Sequence, residues 1–295
     1  MMLVQGHAAS KTTVRVAVFA YNEQRHIAHA IDRLLEEGRA FEDYCIHVLV
    51  NGSTDKTYEI VQAYAELNPG RISVHRYEKG DKAETWNRYA YDIAPSVVED
   101  SVHFFMDGDV WPEPGSIESM AKALTQRPEL TAVAGLPFTG RNRARYTKLA
   151  KEKHLLYGNL YATRGGWLAW AREVGFRIPL GLIAEDCVVA NALTTCQDDL
   201  RRSRLSQIGH VDGCGYRFYS LQPWRFSDIG LYIRRLTRYR LAKAQLNQLG
   251  WLWPDQQPLT IDQVNMQLLR RLKSIKIKRH PLDHLVLRRL EKQYG

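Results

Sequence analysis

The chain has 295 residues and a formal net charge of +9, a length that fits one large α/β domain with an appendage or two small domains. Its 45% hydrophobic and 25% charged residues are ordinary for a globular protein, and no segment approaches the roughly 18 to 20 apolar residues of a membrane span. Four cysteines without a C-x-x-C pair argue against a disulfide scaffold and a zinc knuckle, and suit a reducing compartment.

Residues 1–13 hold no long apolar core, so they read as a flexible tail and not as a signal peptide. Val14–Ala20 predicts the first strand, and Ile27, Ile31, Leu34 and Leu35 space a helix expected from about Gln24. Residues 46–50 predict a second strand. Asn51-Gly52-Ser53-Thr54-Asp55 follows as a turn rich in helix-capping side chains. Ile60, Val61, Tyr64 and Leu67 mark a second helix, Ile72–Tyr77 a third strand, 102–106 a fourth and 131–135 a fifth. Ile117, Met120, Ala121 and Leu124 line a helix before the last of these. Strands alternating with helices mean βαβ units and a mostly parallel sheet.

Beyond Leu221 the strand signals stop and a basic, helical periodicity takes over. Residues 221–295 carry 15 Lys and Arg against 5 Asp and Glu, a net +10, so the rest of the chain is near neutral. Thr260-x-x-Gln263 reads as a capping box, opening a helix with Ile261, Val264, Leu268, Leu272 and Ile275 on one face. The expected division is a tail at 1–13, an α/β domain at 14–220 and a basic helical appendage at 221–295. Such an appendage suits a phosphate-bearing substrate, an acidic lipid surface or nucleic acid, or is simply a solvated face.

The dinucleotide fingerprint and the P-loop are both absent. The chemistry-bearing segment is His103-Phe104-Phe105-Met106-Asp107-Gly108-Asp109, a buried strand that ends in two carboxylates. Ligands of open α/β sheets bind at that carboxyl edge. Asp107 and Asp109 are hard oxygen ligands suited to Mg²⁺ or Mn²⁺. Gly108 between them would let a ligand approach the backbone. In isolation the same tripeptide is a common surface turn. The first two strands end in Tyr21-Asn22-Glu23 and in Asn51 to Asp55, and these polar ends would lie side by side at the same edge.

Four segments come in order: Val18-Phe19-Ala20-Tyr21-Asn22-Glu23, Val50-Asn51-Gly52-Ser53-Thr54-Asp55-Lys56-Thr57, Lys82 with Asn87 five residues on, and Met106-Asp107-Gly108-Asp109. This order resembles the family 2 glycosyltransferases, which have the GT-A fold and use nucleotide-sugar donors. Arg164-Gly165-Gly166 with Ala171-Arg172 is similar to that family's glycine-rich segment, and Gly181-Leu182-Ile183-Ala184-Glu185-Asp186 to its Glu-Asp motif. Gln222-Pro223-Trp224-Arg225-Phe226 loosely matches its Gln-x-x-Arg-Trp motif. The resemblance spans roughly 14–240.

The resemblance implies roles by position. Asp109 would hold the metal directly, with Asp107 nearer the ribose or a metal-bound water. Asp186, beside Glu185, would be the catalytic base. Tyr21, Glu23, Asn51, Lys82, Asp107, Gly165 and Gly166 would contact the donor, and His210 would be a further metal ligand. The implied cofactor is Mn²⁺ or Mg²⁺. The implied donor is a nucleotide-diphosphate sugar, a UDP-sugar being favoured, and the acceptor is a hydroxyl on a saccharide, a lipid-linked molecule or a small molecule.

The chemistry agrees with these residue types. A nucleotide diphosphate leaves readily only when its developing charge is neutralised, and a carboxylate-held divalent ion does that. An acceptor hydroxyl needs a carboxylate to take its proton. One base and one metal suffice for inverting displacement, whereas a retaining glycosidase needs two carboxylates about 5 Å apart. Asp186 alone could instead cap a helix at 188–193.

Two departures stand out. Val50-Asn51 replaces the acidic pair common before Gly-Ser-Thr-Asp, which leaves the base open. The 222–226 segment lacks its final Trp and no membrane helices follow, which argues against a processive, membrane-embedded synthase. Arg234-Arg235 and Arg238-Tyr239-Arg240 offer cations to a pyrophosphate or to an anionic acceptor.

The expectation is thus a soluble, cytoplasmic, inverting, metal-dependent transferase, with tail contact to an anionic inner membrane face left open. A retaining GT-A enzyme is the nearest alternative. A sugar-phosphate nucleotidyltransferase would need a glycine-rich activating loop that is not seen. A nucleic-acid-binding module would need aromatics interleaved with basic residues on strands, also not seen, so no nucleic-acid partner is expected. An inactive sugar-nucleotide-binding relative fits poorly with intact Asp109 and Asp186.

Overall fold

The computed structural model describes residues 10–94, 100–220, 226–250, 252–274 and 281–295. Ile275 and the 222–225 part of the Gln-x-x-Arg-Trp-like segment lie outside the described residues.

The first half alternates strictly: β1 (Val14–Ala20), α1 (Ile27–Glu37), β2 (Tyr44–Asn51), α2 (Thr57–Leu67), β3 (Ile72–Tyr77) and α3 (Lys82–Arg88). Then come β4 (Val102–Asp107), β5 (Val110–Pro112), α4 (Ser116–Gln126), β6 (Ala132–Ala134), β7 (Leu136–Pro137), α5 (Arg143–Lys153), β8 (Leu160–Arg164) and α6 (Gly165–Glu173). After α7 (Glu185–Thr194), β9 (Thr195–Cys196) pairs with β10 (Asp199–Ser203), and β11 (Ile208–Gly209) and β12 (Gly215–Phe218) return to the body. Three helices close the chain: α8 (Phe226–Leu249), α9 (Asp262–Ser274) and α10 (Pro281–Tyr294).

The main sheet has the order β11-β6-β8-β4-β1-β2-β3. β1 runs parallel to β2 and β4, and β2 to β3, whereas β8 runs antiparallel to both β4 and β6. The parallel strands are nearly continuous apolar runs because both faces are covered. Period-2 alternation divides their side chains. Val16, Val18, Phe104 and Met106 pack against Ile27, Ile31, Ile117 and Met120 of α1 and α4. Ala17, Phe19, Leu49 and Phe105 pack in a second core with Trp86, Trp167 and Phe176.

The C-terminal helices have a small core of their own, with Leu241, Leu268, Leu269, Val286 and Leu290. They are also tied to the body. Leu249 and Ile261 are buried in its second core, and the buried Gln245 accepts from the Ile183 N–H at 3.2 Å while donating to Asn265 Oδ1 at 2.9 Å. The capping-box expectation is corrected here. Thr260 forms a bridge with Leu180, the Ile261 N–H donates to the Leu180 carbonyl at 3.0 Å, and α9 starts only at Asp262. Backbone pairing to the body takes the residue that would otherwise cap the helix. Among the described residues no helix is long and apolar enough to cross a membrane.

Candidate active site

The parallel strands deliver their polar ends to one edge. β4 stops at Asp107 because Gly108 turns the chain, its N–H donating to the Phe19 carbonyl at 2.8 Å. A Cβ on Gly108 would sit 3.0 Å from that oxygen and 3.2 Å from Ala20 Cα. Gly108 therefore lets β4 end tightly against β1.

The loops after β1 and β2 are laced together. Asn22 takes the left-handed φ of 58° that Asn tolerates better than most residues. Its Oδ1 accepts from the Thr54 N–H at 2.8 Å, and the Glu23 N–H donates to Thr57 Oγ1 at 2.8 Å. Asn51 is buried, and its Oδ1 accepts from the Asp81 N–H at 2.7 Å. Asp81 in turn caps α3 through the Ala83 and Glu84 N–H groups and accepts from the Gly181 N–H at 2.8 Å. Asn51 Oδ1 thus ties the loop after β2 to the loop before α3. Tyr21, 54% exposed beside Gly80, presents a free ring on which a base can stack.

Lys82 stands at the centre. Its Nζ lies 2.5 Å from Asp107 Oδ1 and 2.7 Å from Glu185 Oε1. Burial pushes its pKa down, but the two carboxylates outweigh it and hold the ammonium well above its ordinary range. Burial also raises Glu185, against the attraction of Lys82. On the far side of Asp107, burial and then the charges of Asp109, Asp107 and Asp55 push Glu23 up to about 8. Asp109 is pushed up to about 6 by burial and then by Asp107, opposed by Arg235 on α8 and by Lys82.

This donor set fits a hard divalent cation. Crowded carboxylates with raised pKa values lack positive charge, which such an ion supplies. Among the described residues no three His, Cys, Asp or Glu side chains form a complete metal cage, so an ion here would share its ligands with a diphosphate and water, as Mg²⁺ commonly does.

Asp186 lies in the first turn of α7, whose cap position is Ala184, so it is no N-cap. Its Oδ1 accepts from the Cys187 N–H at 3.0 Å and its Oδ2 from the Gly158 N–H at 3.2 Å. Glu185, one residue back, reaches Lys82 and through it Asp107. Besides Gly158, two further residues belong here for which no motif gave a signal. Asn159 donates from Nδ2 to Asp107 Oδ2 at 3.3 Å, its carbonyl accepts from the Asp107 N–H at 3.1 Å, and Tyr216 Oη donates to its Oδ1 at 3.0 Å.

Two expectations are corrected. Gly165 and Gly166 lie at the opposite edge of the sheet, because β8 is antiparallel. Arg164 pairs with Val102 at the start of β4, and the Gly165 N–H donates to the Ser101 carbonyl at 2.8 Å. Five residues of strand, roughly 17 Å, separate them from Asp107. His210 follows the edge strand β11, with β6 and β8 between it and β4, and its Nε2 bonds the Leu155 carbonyl at 2.9 Å. The chain returns to Asp109 nine residues later. Phe218 pairs with Val110, which brings Tyr219 level with Asp109, and the Tyr219 ring sits 4.9 Å from Trp111 and 4.8 Å from His26.

Residues 15–181 match the family model described as Glycosyl transferase family 2. No curated protein sequence matches the chain. Among solved structures, a mannosyltransferase from Pyrobaculum calidifontis, in complex with GDP-Man and Mn²⁺, is similar over 97% of this chain and 81% of its own, at 17% identity and a TM-score of 0.60. Glucosyl-3-phosphoglycerate synthase from Mycobacterium tuberculosis, in complex with Mn²⁺, UDP-glucose and phosphoglyceric acid, is similar over 79% of this chain and 78% of its own, at 20% identity and a TM-score of 0.52. The shared architecture is the GT-A fold.

Proposed function

The chain belongs to glycosyl transferase family 2, and from that premise we propose that this glycosyltransferase moves a sugar from a UDP- or GDP-linked donor to a hydroxyl acceptor with inversion. Asp109 would hold the metal and Asp186 would take the acceptor proton. The observation that carries the reading is the Lys82 bridge, which joins Asp107 at 2.5 Å and Glu185 at 2.7 Å. One ammonium thus ties the donor-side carboxylates to the helix turn that bears Asp186.

The roles follow from the groups present. Tyr21 would stack on the base. Lys82, Asp107 and Glu23 would line the donor's phosphates and ribose, with Arg235 adding positive charge from α8. A divalent cation at Asp109, Mn²⁺ or Mg²⁺, would neutralise the charge on the departing nucleotide diphosphate. Asp186 accepts the hydroxyl proton as the acceptor attacks, and its two backbone N–H partners orient it. UDP and GDP donors are both retained. The family resemblance favours uridine, while the neighbour similar over 97% of this chain was solved with GDP-Man. On this reading 14–220 is the catalytic domain and 221–295 a helical appendage that supplies Arg235.

The test is a thermal-shift panel of UDP, GDP, dTDP and CDP, each with and without Mn²⁺. Binding to the folded state raises the melting temperature by mass action. A shift that needs both one nucleotide and the metal is expected, and no metal-dependent shift with any of the four would sink the reading. Product stereochemistry by NMR checks inversion: an α-linked product from an α-linked donor would overturn it.

A further inference from the structure

Two residues join the halves of the site by unusual means. Gly158 and Asn159 precede β8 at the same edge as Asp107. Asn159 grips Asp107 through its carbonyl, which takes the Asp107 N–H at 3.1 Å, and through its side chain, at 3.3 Å from Oδ2. Tyr216 Oη holds the other end of that amide at 3.0 Å. Gly158 meets Asp186 instead, its N–H 3.2 Å from Oδ2. A Cβ built on Gly158 would lie 2.8 Å from Asp186 Cβ and 3.3 Å from both Cγ and Oδ2. The φ of Gly158 is outside the left-handed region, so the backbone itself does not demand glycine there. What demands it is the space that Asp186 occupies.

We propose that the Gly158–Asn159 dipeptide is the positioning element of the catalytic centre. Asn159 sets Asp107, Gly158 sets Asp186, and one peptide unit fixes the spacing between the donor and acceptor sides. Neither residue touches the reacting atoms. The inference rests on the reading of Asp186 as the base.

A side chain on Gly158 must push Asp186 away by a sizeable fraction of an ångström, because the contacting atom is Asp186 Cβ and not a flexible tip. Misplacement of about 1 Å is enough to cost about 10²-fold in rate. The consequence is confined to the acceptor side, since the Asn159 contacts to Asp107 are left in place.

The experiment compares Gly158→Ala, Asp186→Asn and the double variant in Mn²⁺-dependent cleavage of UDP-glucose and GDP-mannose. Gly158→Ala is expected to lower kcat about 10²-fold with the donor KM unchanged. The double variant should be no slower than Asp186→Asn alone, because both changes act through one carboxylate. If Asp186→Asn keeps wild-type turnover, the base assignment fails. If Asp186→Asn is slow while Gly158→Ala runs at the wild-type rate, the positioning role alone fails. A readout free of turnover is a crystal structure of Gly158→Ala. A displaced Asp186 carboxyl with an unmoved Asn159–Asp107 pair supports the proposal, and an unmoved Asp186 overturns it. Asn159→Ala covers the case in which Gly158→Ala does not fold: its crystal structure should show Asp107 re-oriented with Asp186 in place, and an unchanged Asp107 overturns the proposal.

Discussion

Two sets of ionisable side chains are withdrawn from water in this molecule, and the contrast between them separates structure from function. In the sheet interior, His103 bonds Tyr89 Oη and Ser101 Oγ at 2.7 Å each, and His47 Nδ1 lies 3.2 Å from His75 Nε2. These histidines are kept neutral, burial lowering His103 to about 3 and His47 to about 4. At the carboxyl edge the acids are crowded without enough cations, so Glu23 rises to about 8 and Asp109 to about 6. Burial alone therefore does not mark a site. The histidine set is largely satisfied within the protein, whereas the carboxylate set is short of positive charge.

The largest expected effect tests the carboxylate side. Asp186→Asn should lower turnover by about 10²–10⁴ with nucleotide affinity unchanged, read by steady-state kinetics alongside nucleotide titration. An equal loss of nucleotide affinity would show that Asp186 serves the donor.

Lys82 is next. Lys82→Met strands Asp107 and Glu185, whose side chains are 27% and 12% exposed. Removing one partner of a buried pair costs about 3 kcal/mol, read by urea denaturation of the metal-free protein. A change below about 0.5 kcal/mol, the scale of ordinary surface substitutions, would show that water compensates those carboxylates.

The third expectation concerns protons. With Glu23 near 8, this carboxyl is mostly protonated at neutral pH, and binding of Mn²⁺ with nucleotide should expel about one proton. Calorimetry in two buffers of different ionisation enthalpy measures it, and Glu23→Gln should remove the release.

The last expectation concerns the histidines. Their folded pKa values lie below the ordinary 6.5, so the unfolded chain binds more protons between about 4 and 6.5. The stability they contribute is complete above about 6.5 and is lost as pH falls toward 4, at up to about 1.4 kcal/mol per pH unit for each. Glu23 opposes this, because its raised pKa gives stability that is present below 4.5 and lost as pH rises toward 8. Asp109, raised in the same way, opposes it too, so the clean test is His103→Gln: its profile should lose part of the slope between about 4 and 6.5, and an unchanged profile would count against a neutral His103.

The parallel strands and their polar ends were legible in the sequence, and the placement of residues after β8 and β11 was not. Val14–Ala20 and Ile72–Tyr77 agree with the expected strands to the residue, because buried parallel strands are local apolar runs. Asp107 and Asp109 were legible because strand and turn are contiguous. Gly165 and Gly166 were misplaced because strand direction is a property of the sheet, and nothing local announces that β8 runs backwards. His210 was misplaced because a match by position along the chain does not show that β9 and β10 intervene and that β11 lies at the sheet edge. Asn159 acts partly through a backbone carbonyl, and Gly158 through a missing side chain, and neither leaves a pattern in composition or spacing.

Asp81 carries a consequence for recombining this chain with its relatives. Its carboxylate partners are backbone N–H groups of Ala83, Glu84 and Gly181, which every residue except proline supplies. Its own backbone N–H donates to Asn51 Oδ1 at 2.7 Å. A crossover placed between 81 and 181 keeps the contact across that gap whatever non-proline residue arrives at 181, and one placed between 51 and 81 keeps the tie as long as Asn51 is retained. In a chimaera, the contacts to preserve across residue 109 are Asn159 with Asp107 and Glu185 with Lys82.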